Sequence, residues 1–449
     1  MQITILILYG IGLLAIGIWS AFRVKTPTDY FIAGKRNGVL QISGSLLATI
    51  LGGSAVLGTT NLAVSQGWAA AWYLLAASFG LWLLVPLVRK VSRLGKYTLT
   101  DMVGRFYGET ARKSASVIIP LAWTGIVAAQ IVAAAKILFS IFELPYESGV
   151  LLSGLVFIGY TLIGGQISIL KTDFFQAIVI LVGIVICALF LSWLPETRVS
   201  SLTGSFPFND KFGTIDLLIL VLTFSSTFVV GPDIYSRVFC ARDESTARKS
   251  VILVAAILIP FAFVLTYLGV FAHENLPAEA LHGSVALIEL IAFYLPGWAV
   301  GLMAAALLSA VLSSADTTLL SASIILTELL SGNIDNKKSL AHTRLFIILI
   351  GIISMFVALK ITSIIGMLLL ALAVYSGAFI VPLIAALSNM KVNKQMGVPA
   401  MITGGAIALA GKILIDSYGF SWGNWIIIAA FAVNFSLLRF SKSLVVSHK

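Results

Sequence analysis

The chain has 449 residues, 59% of them hydrophobic and 11% charged. Soluble domains carry about 25% charge, so a water-soluble globule is excluded and an all-α polytopic membrane protein in a lipid bilayer is expected. The formal net charge of +10 does not require nucleic acid, because excess Lys and Arg hold loops on the cytoplasmic side of a membrane.

A spanning helix needs roughly 20 residues. Apolar periods predict thirteen spans: 3–22, 40–62, 70–94, 114–138, 146–165, 173–195, 214–238, 250–273, 284–328, 342–360, 363–388, 397–416 and 421–438. The first carries Arg23 and Lys25 after its apolar run, which reads as a retained helix with its N-terminus outside, not a signal peptide. The second contains the break LGGSAVLG at Leu51–Gly58. The polar stretches around Arg89–Lys113 and Pro195–Thr214 read as loops. Asp173 opens the sixth span, two residues after Lys171, and the seventh carries VVGPD at Val229–Asp233. The ninth is too long for one simple span, so its first part is expected as a short surface helix. Cys187 and Cys240 read as small core residues, and His273, His282, His342 and His448 form no ligand cluster.

Charge tests this count. With the N-terminus outside and the C-terminus cytoplasmic, 24 of the 29 Lys and Arg fall in inside loops or inside helix ends. Lys96, Arg237, Lys442 and Lys449 are among them. Lys136, Arg198, Lys211, Lys360 and Lys412 fall outside. A miscounted helix would scramble the bias downstream of the error, so an odd number of spans is expected.

Two patterns carry the function. The breaks of spans 2 and 7 stand five spans apart, so a second half would be inverted relative to the first. Unwound backbone is tolerated in a membrane only where protein or a water-filled cavity satisfies it, and paired breaks point to an inverted-repeat transporter with its site at the breaks. The ninth span contains AVLSSADTTLLSAS. Ala310, Ser313, Ser314 and Thr317 follow i, i+3, i+4, i+7 on one helical face. Hydroxyls beside free carbonyls replace the hydration shell of a small hard cation, although the same residues also bond their own helix or glue helix pairs. Asp316, a carboxylate at membrane depth, reads as functional. Asp173 reads either as a helix-start carboxylate or as a cytoplasmic-side cation relay.

Five motifs in order, DYFIAGKR (Asp29–Arg36), ATILGGSAVLG (Ala48–Gly58), YTLIGGQISILKTDFFQ (Tyr160–Gln176), PDIYSRVFCAR (Pro232–Arg242) and AVLSSADTTLLSAS, resemble the sodium/solute symporter family from about Asp29 to about residue 390. The resemblance implies a five-plus-five inverted-repeat core, spans 2–6 and 7–11, with spans 2 and 7 broken. It implies a sodium ion held by backbone oxygens of Ala48, Leu51 and Ala310 and by the hydroxyls of Ser313 and Ser314. A second cation site or release path would use Asp173, Asp316 and Thr317 with Ser313. A small organic solute would meet Gly53 and Ser54 from span 2 and Phe224 and Phe228 from span 7. Proline-type members are similar there but carry Trp and Tyr at the positions aligned with these phenylalanines. Polar side chains of sugar-type members stand where this chain has Ser54 and Ala55, which argues against a sugar. A choline site would want an aromatic cage. Tyr375, in AVYSGAF of span 11, is a gate candidate.

The expectation is a sodium-coupled symporter in the plasma membrane, not an enzyme, built as a single transporter domain over 1–449. Its core is 40–388, with 3–22, 397–416 and 421–438 peripheral. The alternatives are a proton-coupled permease of the same fold using Asp173 or Asp316, and a transporter-like sensor module that signals through a partner protein.

Overall fold

The structure is a computed structural model that describes residues 2–94, 97–194, 206–281, 285–332, 337–420 and 422–440. Lys96, Arg198, His282, Lys442, His448, Lys449 and much of the 195–214 stretch lie outside the described residues. Those described are overwhelmingly helical, and no β-strand forms among them.

Among the described residues, ten helices are long and apolar enough to cross a membrane. Three features turn these into thirteen crossing segments. The stretch Gly53–Leu84 is divided by the turn Gly67–Ala70, and its first part continues Val39–Ile50. The helix Tyr146–Ser192 reverses on itself, and Gly423–Phe440 is a shorter apolar helix. The segments are α1 (Gln2–Ala21), α2a and α2b (Val39–Ile50 and Gly53–Gln66), α3 (Ala71–Leu84), α4 (Glu109–Phe142), α5 (146–164), α6 (166–192), α7 (Thr214–Cys240), α8 (Glu244–Asn275), α9 (Gly297–Ser331), α10 (Lys337–Lys360), α11 (Ile364–Leu387), α12 (Gly397–Tyr418) and α13 (Gly423–Phe440). Large apolar side chains such as Leu121, Phe139, Leu155, Phe356 and Trp425 remain exposed along them, as lipid-facing surfaces require.

The reversal between α5 and α6 follows from contacts. Tyr146 Oη donates to the Ala358 carbonyl at 2.8 Å, near the end of α10. Asp173 meets Ser313, and Gly183 lies against Ala306, so α6 runs antiparallel to α9. Thr327 and Thr343 bond at 2.8 Å, which pairs the end of α9 with the start of α10. Both ends of Tyr146–Ser192 therefore lie on the Gly297 side of α9. The turn is made at Gly165, with φ 53° and ψ −156°. A Cβ there would also run into the Tyr30 ring. Backbone in this region is essentially restricted to glycine, at a cost of about 1–3 kcal/mol for other residues. Gly165→Ala is expected to lower the melting temperature of the purified protein, while Gly159→Ala, whose Cβ meets nothing within 4 Å, leaves it unchanged. Equal melting temperatures for the two variants would show that the reversal does not need glycine.

Both predicted breaks are present. In α2 the helix stops at Leu51 (φ −79°, ψ 36°), and Gly52 (φ −60°, ψ 168°) starts the second half. In α7 the backbone is extended at Gly231 (φ −73°, ψ 133°), and Pro232 begins the following half, Pro232–Cys240. Proline suits that first position, because the N–H it lacks has no helical partner there anyway. A π-turn at Val221–Ser225 precedes the break.

Several local expectations change. The stretch Arg89–Lys113 is not loop: it forms Val88–Leu94, Leu99–Tyr107 and the start of α4. Thr98 and Asp101 make a reciprocal capping box that begins Leu99–Tyr107. The front of the ninth span is a separate helix, Ala286–Tyr294, ended before Pro296. It is not merely a surface helix: Ala286, Leu287, Ile288, Leu290 and Ile291 are buried, and the Ala286 N–H donates to Asn61 Oδ1 at 2.9 Å. Arg237, assigned from sequence to the inside helix-end charges, is completely buried.

Candidate functional site

The end of α2a supplies free oxygens. The last four carbonyls of a helix lack intrahelical partners, here those of Ala48, Thr49, Ile50 and Leu51. Ser314 Oγ of α9 donates to the Thr49 carbonyl at 2.7 Å, joining α9 to the α2 break. Glycine is needed beside it, because a Cβ on Gly52 would collide with Ser314 Oγ. One residue earlier, Ser313 Oγ donates to Asp173 Oδ1 of α6 at 2.6 Å. Each serine thus directs its proton away and keeps oxygen lone pairs available. Ala48, Leu51, Ala310 and Ser313 are fully buried, and Ser314 nearly so.

Below these groups lies a buried charge cluster. Arg237 Nη2 pairs with Asp173 Oδ2 at 2.8 Å, with both side chains fully buried. The guanidinium also donates to Ser45 Oγ at 2.9 Å, Ser236 Oγ at 3.1 Å, Thr49 Oγ1 at 3.3 Å and Thr317 Oγ1. Ser45 Oγ in turn donates to Asp173 Oδ2. Thr317 Oγ1 donates to Asp316 Oδ1 at 3.4 Å, while Asp316 Oδ2 is buried without a partner. Two carboxylates and one guanidinium therefore tie α2, α6, α7 and α9 together. Arg237 was missed from sequence as a site residue. Its signal was the crowd around it: Ile234, Tyr235, Val238, Phe239 and Cys240 leave the helix no solvent face.

A cavity of about 70 Å³ lies between the two breaks. Ser54, Phe224 and Phe228 line it, joined by Tyr73, Trp123, Gln130 and Asp233, none of which the sequence reading placed there. Thr49 and Ser314 also line it, so cavity and serine pair adjoin. Gly53 does not line it: its missing Cβ faces Val311, Gln130 Oε1 and Ala133. Tyr73 and Phe224 stack at 4.3 Å between centroids, and Tyr73 also borders a second cavity lined by Gln66, Asp216 and Ile365. Tyr375 does not line the cavity itself but packs edge-on, at 4.6 Å between centroids, against Trp123, which does. It donates to the Val230 carbonyl, and Tyr235 donates to the Val229 carbonyl at 2.8 Å, so both satisfy backbone freed by the α7 break. Among the described residues, no group of three His, Cys, Asp or Glu could hold a metal.

The profile of the sodium:solute symporter family matches residues 30–193 and 197–404. The chain belongs to this family. It is therefore a multi-pass membrane transporter coupled to sodium, and not an enzyme. A sodium/pantothenate symporter of Escherichia coli (strain K12) is 24% identical over 446 residues, covering 92% of this chain and 91% of the relative. A sodium/proline symporter of Haemophilus influenzae is 23% identical over 442 residues, covering 91% and 88%. Among solved structures, a sodium-coupled sialic acid symporter in a substrate-bound outward-open state superposes with a TM-score of 0.77 at 19% identity, covering 97% of each chain. A nucleobase-cation-symport-1 family transporter in a closed conformation gives a TM-score of 0.57 at 13% identity, covering 91% of this chain and 93% of the other. These likenesses show that this symporter has the five-plus-five fold, with α2–α6 and α7–α11 as its two halves.

Proposed function

We propose that sodium binds at the α2 break through the carbonyls of Ala48, Leu51 and Ala310 and the hydroxyls of Ser313 and Ser314, and that a small organic solute binds in the adjoining cavity. The observation that carries this reading is the shared wall: Ser314 bonds the broken end of α2a and also lines the cavity. An ion that draws α2a onto α9 therefore shapes the solute site. Sodium favours the state open toward Tyr73 and the second cavity, and solute closure follows. The Asp173–Arg237 pair blocks the way toward the opposite side, and the ion leaves by exchanging places with the guanidinium. Asp173, Asp316 and Thr317 are the ligands such a departing or second cation meets.

The side of α1's N-terminus and of the Tyr73 entrance faces outward in this reading, and the C-terminus is cytoplasmic. The transporting unit is 40–388, with α1, α12 and α13 peripheral. The driving force suffices. One charge moving through ~100 mV contributes roughly 2.3 kcal/mol, and a tenfold sodium gradient adds about 1.4 kcal/mol.

The test is uptake of labelled L-proline, pantothenate and choline into proteoliposomes under an inward sodium gradient, with potassium as the replacement. At least one solute is expected to accumulate only with sodium. Accumulation driven equally by a proton gradient in potassium would assign the coupling to Asp173 or Asp316 as a proton carrier instead.

A further inference from the structure

The solute cavity has one charged residue on its wall. Its lining includes Asp233 and no Lys, Arg or His among the described residues. Asp233 stands in the first turn after the α7 break, with its carboxylate against the backbone N–H groups of Asp233 and Ile234. Arg237, one turn on, spends its guanidinium on Asp173 and the surrounding hydroxyls. Among the described residues the Asp233 carboxylate forms no ion pair, and Arg237 acts on it only through its charge, without contact. A carboxylate held in a low-dielectric wall attracts a positive charge strongly and repels an anion.

The rest of the wall fits the same guest. Tyr73, Trp123, Phe224 and Phe228 present four aromatic rings. Tyr73 stacks on Phe224, and Phe224 meets Phe228 edge-on at 5.0 Å. Aromatic faces attract ammonium groups, most strongly when the site is desolvated. Gln130, 1% exposed, gives its Nε2 to Ser54 Oγ at 3.0 Å and leaves Oε1 without a partner. That acceptor suits a hydroxyl or N–H of the solute.

We propose that the transported solute carries a positively charged nitrogen, bound between Asp233 and the aromatic wall. This rests on the reading that the cavity is the solute site. It sets the chain apart from the pantothenate relative, whose solute is an anion. Asp233 is then a specificity residue as well as the start of a helix.

The test uses the purified full-length protein in saturating sodium, with melting temperature as the readout. The probes are choline, glycine betaine and L-proline, set against pantothenate and the neutral alcohol in which a quaternary carbon replaces choline's nitrogen. At least one charged-nitrogen probe is expected to stabilise the protein, and the neutral and anionic probes are not. Asp233→Asn removes the charge but keeps a side-chain oxygen that can accept from the first-turn backbone N–H groups of Asp233 and Ile234, and it is expected to shift the midpoint of the active probe by about tenfold or more. Stabilisation by sodium alone is expected to persist in that variant and reports that it is folded. The proposal is overturned if the neutral alcohol or pantothenate binds as well, if none of the three charged probes binds, or if Asp233→Asn binds unchanged. If sodium alone fails to stabilise the unmodified protein, it is the proposed sodium site at the α2 break that fails.

Discussion

Arg237→Ala is expected to abolish uptake and to destabilise the protein by about 3–5 kcal/mol, the range for breaking a buried ion pair from one side. The reason is what the change leaves behind. Asp173 loses its partner at 2.8 Å, and Asp316 stands nearby with an oxygen already unpartnered. Two carboxylates would then share a water-poor interior with no cation. Asp173→Ala is expected to cost a similar amount, because it strands the guanidinium. The double variant removes both charges and is expected to melt higher than Arg237→Ala alone. Melting temperatures of the four proteins close a double-mutant cycle, and strictly additive losses would show that the pair is not coupled. Arg237→Lys restores the charge but not the planar fork that reaches Ser45, Ser236, Thr49, Asp173 and Thr317. It is expected to recover stability in part and uptake poorly.

Changing Ser313 and Ser314 together to alanine is expected to eliminate sodium activation of uptake. A hydrogen bond or ligand oxygen toward a charged group is worth about 1.5–3 kcal/mol, so each hydroxyl accounts for about tenfold to a hundredfold in apparent sodium affinity. The singles are expected to differ in kind. Ser314→Ala also frees the Thr49 carbonyl and loosens α9 from the α2 break, so solute affinity falls with it. Ser313→Ala frees Asp173 Oδ1 and spares the cavity wall, to which Ser313 does not contribute. Ser→Thr at either position keeps the oxygen and is the control for mere loss of volume. Sodium dependence that survives the double alanine change in proteoliposomes would remove these hydroxyls from the ion's coordination.

Much of this architecture follows from local chemistry. Apolar runs of bilayer length place helices wherever they occur, because the backbone has no other partner in oil. The breaks at Gly52 and Gly231–Pro232 were legible for a related reason: glycine and proline loosen the helical ladder whatever surrounds them. The hydroxyl face of α9 appeared as a simple helical period. The reversal at Gly165 was legible as two spans, though not as one nearly continuous helix.

Long-range placement was not legible. Arg237 reads as one more helix-end cation until α2, α6 and α9 close around it, since burial of a charge depends on partners 64, 80 and 192 residues away in the chain. Asp233 enters the sequence only as the end of the VVGPD break, and only the tertiary structure places it on the cavity wall. Tyr73 and Trp123 come from spans with no polar signature. Gly53 was expected toward the solute but packs on α9 and α4, because its facing is set by how α2b tilts after the break. Hydropathy and backbone preference act between near neighbours, so the sequence by itself determined the spans, the breaks and the hydroxyl stripe. Electrostatic pairing and cavity shape act between helices distant in the chain, so only the tertiary structure decided which charges meet and which side chains line the cavity.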